Sequence, residues 1–169
     1  MREDKKIMES KHYNETNKDY MSCTLKNFFY LKREEKRYNK ELLELDQRIE
    51  EEKIYIRGMI ADGSIAGNGC SVSSPKEQCI GYLENKSIEL SNERDKIIDA
   101  YNILDNLHNI TKNLKDISNE SRIVINNVYE RGLSIDYIAN KLEKVSKQTI
   151  YNRIDKALEE MCKKCWKKF

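Results

Sequence analysis

The chain has 169 residues, of which 36% are charged and 38% hydrophobic, with a single proline and a net charge of +2. That balance excludes one large apolar core and fits long solvated helices around a small one. The charge is unevenly spread: residues 119–169 hold 11 Lys/Arg against 7 Asp/Glu, whereas residues 24–112 hold 14 against 16. A basic excess gathered in one segment is the footprint expected of nucleic-acid binding.

Residues 1–23 are polar with scattered Met and Tyr, and they read as a weakly ordered tail with room for a short helix. They contain no apolar run of the kind a secretory leader needs. No stretch of the chain approaches the ~18 apolar residues of a membrane span. A cytoplasmic protein with reduced thiols is therefore expected, without a membrane partner.

A long helix is predicted from Thr24. Phe28, Leu31, Tyr38, Leu42, Leu45, Ile49, Ile56 and Met59 step by three and four, with Glu35 and Glu52 filling two gaps. That spacing is a heptad stripe. The helix should stop near Ile60, because residues 61–75 (ADGSIAGNGCSVSSP) concentrate three glycines, four serines and the proline. This segment reads as a connector.

A second helix is predicted over residues 76–111. Ile80, Leu83, Leu90, Ile97, Tyr101 and Leu104 form its stripe, with Ser87 and Arg94 in the gaps. Two helices of about 35 residues would each run ~50 Å. Joined by one connector, they should fold back as an antiparallel, coiled-coil-like hairpin over residues 24–112, since pairing removes both stripes from water. The stripes are narrow, so a homo-oligomer formed through this hairpin is also expected.

A polar link at 112–116 precedes the last domain, residues 113–169, in which three helices are predicted. The first spans about 120–130, with Ile123, Val124, Val128 and the more amphipathic Tyr129 as its apolar positions, and Gly132 ends it by taking positive φ. Ser134 caps the second, 135–142. There Ile138, Ala139 and Leu142 face inward, and the small Ala139 lets a crossing helix approach. Residues 143–145 turn the chain, with Val145 plugging the core, and Ser146 caps the third helix. Ile150, Ile154, Ala157 and Leu158 mark its buried side. Lys147, Gln148, Thr149, Tyr151, Asn152, Arg153 and Lys156 are left outward. These are residue types that contact phosphates and base edges in the major groove. The helix N-terminus adds free N–H groups and a positive dipole end.

The pattern GLSxxxIAxxL followed by VSxxTIYxxIxKAL resembles the helix-turn-helix of bacterial sigma factor region 4. The whole layout is similar to phage transcriptional activators of the ArpU and RinA type, with the strong match over residues 120–158. The resemblance implies an all-α protein, found in a bacterial host cell, that binds double-stranded DNA and activates phage or prophage late genes. It also implies RNA polymerase as a further partner. Ser134 would open the positioning helix, Lys144 would lie in the turn, and residues 146–153 would enter the major groove. Two features depart from the family: Glu143 stands where a glycine is usual, and the turn carries one extra residue.

Cys162-x-x-Cys165 ends a helix with no strand before it, which does not match a redox motif. Zinc would need two more ligands. Cys70 and Cys79 could supply them, but their spacing is not diagnostic, so no cofactor or metal is expected. His108 falls in line with the second stripe as a half-buried structural residue, and His12 lies in the tail. No nucleophilic triad pattern and no phosphate-binding loop are present, so no enzymatic activity is expected. The basic end, KKCWKKF, reads equally as a phosphate-contacting extension or a solvated tail. Two other functions fit the same layout. One is a terminase-like protein that recognises DNA for packaging. The other is a coiled-coil module that contacts protein alone.

Overall fold

The computed structural model describes the backbone of residues 2–61 and 75–165, and the side chains of residues 17–59 and 77–165. The connector with Cys70, the side chain of His12 and the end from Trp166 lie outside the described residues. The fold is all-α, without strands among the described residues. The helices are α1 (Arg2–Ala61), α2 (Pro75–His108), α3 (Ile110–Asp116), α4 (Asn119–Ile125), α5 (Ile135–Tyr137) and α6 (Lys147–Cys165). Two of them widen into π-helical turns, α4 through Asn126–Glu130 and α5 through Ile138–Glu143. None of the described helices is long and apolar enough to cross a membrane.

The chain divides into two compact units: residues 34–99, and residues 1–33 together with 100–169. The first unit is an antiparallel helix pair. Asp46 accepts a hydrogen bond from Ser87 at 3.5 Å, and Lys53 pairs with Glu84 at 3.0 Å, so position rises on α1 as it falls on α2. Leu45, Ile49 and Leu83 form its buried core, with Leu90 packed beside them. These are stripe positions, and the alternation of three and four keeps them facing the partner helix.

The second unit differs from the domain division expected from sequence. α1 already includes residues 2–23, which were expected to be a weakly ordered tail. Met21, Leu25, Phe28 and Phe29 of α1 share one buried cluster with Ile110, Ile117, Ile125, Tyr129, Ala157, Leu158 and Met161. The stretch of α1 from Lys18 to Phe29 is thus built into the same core as α3, α4 and α6. Polar ties reinforce the packing. Lys18 bridges Asp155 at 2.9 Å and Glu159 at 2.7 Å on α6. The Ser22 and Tyr129 hydroxyls are 2.9 Å apart.

The expected polar link at 112–116 is instead helix α3. α2 breaks at Asn109, which takes φ 48°, and Asn113 closes the break by donating to the His108 carbonyl at 2.9 Å. Ile110, Asn113 and Ile117 are buried. A segment that reads as polar in sequence can pack in this way because only one side of a short helix need be apolar.

Cys162 and Cys165 lie half-buried on α6, where Cys165 accepts a hydrogen bond from Asn113. Burial, with Cys165 close by, pushes the Cys162 thiol up to about 12. Cys23 and Cys79 are exposed. Because the thiolate is the reactive form, iodoacetamide at mildly alkaline pH should label Cys23 and Cys79 at least about tenfold faster than Cys162 in the folded protein. Mass spectrometry of quenched time points reads this directly, and equal rates would contradict the burial of Cys162.

Candidate nucleic-acid interface

The segment from Ser118 to Cys165 is a three-helix arrangement with a cap at each start. The Ser118 hydroxyl accepts from the Ser121 N–H and opens α4. Glu160 of α6 accepts the Ser118 N–H at 2.9 Å and its hydroxyl at 3.0 Å, tying the start of α4 to the far end of α6. Burial opposes ionisation of Glu160, yet the hydrogen bonds from Ser118 and Ser121 hold its carboxyl below the ordinary value. At the other end of α4, Arg33 donates to the Tyr129 carbonyl at 2.6 Å and the Glu130 carbonyl at 3.0 Å. Carbonyls that the helix leaves without partners are thereby satisfied from α1.

Gly132 follows at φ 64°, a region open to glycine without a Cβ penalty. Ser134 then accepts the Tyr137 N–H at 3.2 Å and starts α5. Ile138, Ala139 and Ile150 are buried together, with Val128, Leu133, Ile135, Val145 and Ile154 against them. Ala139 thus sits in the cluster where α5 meets α6, and Val145 plugs it. Leu142 departs from expectation: it is 45% exposed. The π-helical turn Ile138–Glu143 takes more residues per revolution than an α-helix, which rotates Leu142 off the buried side.

The turn also departs from the family pattern. Glu143 stays helical, and Lys144 takes the left-handed conformation at φ 53°. The extra residue moves the glycine-like role one position along. The Val145 N–H reaches back to the Ala139 carbonyl at 3.0 Å and closes the helix end. A non-glycine residue in this conformation costs about 1–2 kcal/mol. The Ser146 hydroxyl accepts the Thr149 N–H at 3.1 Å and opens α6, whose buried side is Ile150, Ala157, Leu158 and Met161.

The candidate contact residues fall into three groups. Ser134 and Ser146 are exposed and spend their hydroxyls on capping, with Thr149 2.9 Å from Ser146. Lys144, Lys147, Gln148, Tyr151 and Asn152 are exposed on one side of the turn and the first part of α6. Of these, Gln148 donates to Asn152 at 3.0 Å, which aligns the two amides, and Lys147 pairs with Asp136 at 2.7 Å. The hydrogen bond to Asp136, with the attraction between the two charges, raises the Lys147 pKa. Arg153 and Lys156 form the third group. Lys156 is exposed and lies 3.7 Å from Glu120. Arg153 is half-buried and faces Glu143 and Glu120.

Three acids, Glu120, Asp136 and Glu143, whose pairing was not foreseen from the sequence, therefore meet the cations of this face. They come from α4, α5 and the π-helical turn that continues α5, and no local spacing announces the pairing. Among the described residues, Lys144 is left without an ion pair. The face can offer amides, a phenol and lysines to a polar polyanion, with less uncompensated charge than the residue counts imply. Among the described residues, no three or more His, Cys, Asp or Glu side chains are grouped so as to hold a metal ion. No family model, curated protein or solved structure matches the chain.

Proposed function

We propose that this protein is a non-enzymatic regulator that binds double-stranded DNA in a sequence-specific manner through α5 and α6. One observation carries the reading. Lys147, Gln148, Tyr151 and Asn152 stand exposed on the first turns of a helix whose opposite side is locked into a core by Ile150, Ala157 and Leu158. A rigid helix with a polar outer edge and a serine-capped N-terminus suits entry into the major groove. The likeness to sigma factor region 4 supports a transcriptional role, with late genes of a phage or prophage as targets and RNA polymerase as a partner. A homo-oligomer formed through the helix pair, in the host cytoplasm, completes the proposal.

The test is selection of bound sequences from a random duplex pool, followed by titration of the selected site. Gln148→Ala should lose on the order of 1–3 kcal/mol of discrimination between that site and random DNA, as removal of a bidentate base contact does. Lys156→Ala should weaken all sequences alike and flatten the dependence on salt, because it removes a phosphate contact. If the wild-type chain bound no duplex at any salt concentration, the reading would be wrong.

A further inference from the structure

The guanidinium of Arg153 lies against two carboxylates from different elements. Its Nη1 is paired with Glu143, at the end of the π-helical turn after α5, and its Nε is 3.4 Å from Glu120 in the first turn of α4. The Glu143 side chain is only 18% exposed, so water competes weakly for its carboxylate. A pair shielded in this way keeps more of its attraction than one in open solvent. Arg153 lies on α6, one turn beyond Thr149, on the helix assigned to the groove. Glu143 stands where the resembling family has glycine, which carries no side chain able to engage an arginine.

We propose that Glu143 is a positioning residue that withholds Arg153 from DNA and fastens α6 to its neighbouring helices. This rests on the DNA-binding reading above and deepens it. The clamp spans α4, the π-helical turn after α5, and α6, and so sets the angle at which α6 is presented. It also lowers affinity, because one arginine of the recognition helix is neutralised by the protein rather than by phosphate. Specific contacts then fall to Lys147, Gln148 and Asn152.

The experiment uses the full chain and a mixed-sequence duplex, titrated over a series of KCl concentrations. Glu143→Gln removes the charge while keeping the shape. It should tighten binding about five- to tenfold and steepen the salt slope by about one, as one added phosphate contact does. Adding Arg153→Ala to that variant should abolish both effects. Unchanged affinity and slope in Glu143→Gln, or a tightening that persists without Arg153, would overturn the proposal. Urea unfolding separates this failure from failure of the DNA-binding reading, since it requires no DNA. Glu143→Gln and Arg153→Ala should each lower the urea midpoint, with the double variant falling no further than the worse single one. Additive losses would overturn the clamp even if no variant bound DNA, and coupled losses would support it.

Discussion

Residues 113–169, produced alone, should lack the cooperative unfolding transition of the full chain. The reason is the buried cluster that α1 shares with α3, α4 and α6. Four of its members, Met21, Leu25, Phe28 and Phe29, belong to α1 and are at most 4% exposed. Burying such side chains contributes about 1.5–3 kcal/mol each. Their combined loss is on the order of the entire stability of a small domain, about 5–15 kcal/mol. Removing them also uncovers Ile125, Tyr129, Ala157, Leu158 and Met161, and strips the Arg33 cap from the end of α4. Circular dichroism against temperature is the measurement. A steep sigmoidal melt from the fragment, matching that of the full chain, would refute the shared core.

The second large effect is expected from one side chain. Phe28→Ala should destabilise the protein by about 3–5 kcal/mol, the range for deleting a buried phenyl ring. Phe28 is 1% exposed, and its ring makes edge contacts with Phe29 at 5.3 Å and Tyr101 at 6.2 Å between centroids. The Lys32 ammonium lies 4.7 Å from the same ring, so the substitution also removes a cation–π contact. Tyr30, two positions away on the same helix, is 54% exposed. Tyr30→Ala should change stability by no more than about 0.5 kcal/mol. Urea denaturation of the two variants side by side tests the contrast, and equal effects would mean that the burial of Phe28 does not govern stability.

The parts of the fold that were legible in the sequence are those determined locally. Ser134 and Ser146 cap helices because a short hydroxyl can reach an N–H three residues on. Gly132 takes positive φ because that conformation places no demand on a Cβ. Leu45, Ile49 and Leu83 meet because their spacing allows little else. Reading failed where period or partner changed. The two π-helical turns break the 3.6-residue rhythm, so Leu142, expected inside, is 45% exposed, while Asn127 is buried. The role of Met21 could not be read from its polar surroundings, because its partners lie more than eighty residues further along the chain. The environment of Arg153 was hidden for a different reason: a cation can be seen in a sequence, but which nearby carboxylate folds against it cannot.

The union of α1 with α6 also bears on the order in which the molecule can be made. During synthesis, Met21, Leu25, Phe28 and Phe29 leave the ribosome long before Ala157, Leu158 and Met161 exist to cover them. Closing a loop of such length costs conformational entropy that only the finished core can offset. The nascent chain therefore carries an uncovered apolar stripe until α6 has emerged, and exposed apolar surface of this kind favours aggregation. A product that stops short of α6 keeps that stripe open and should be cleared by proteolysis. The exposed side of α6 and the core behind it can therefore form only after Met161 has been made.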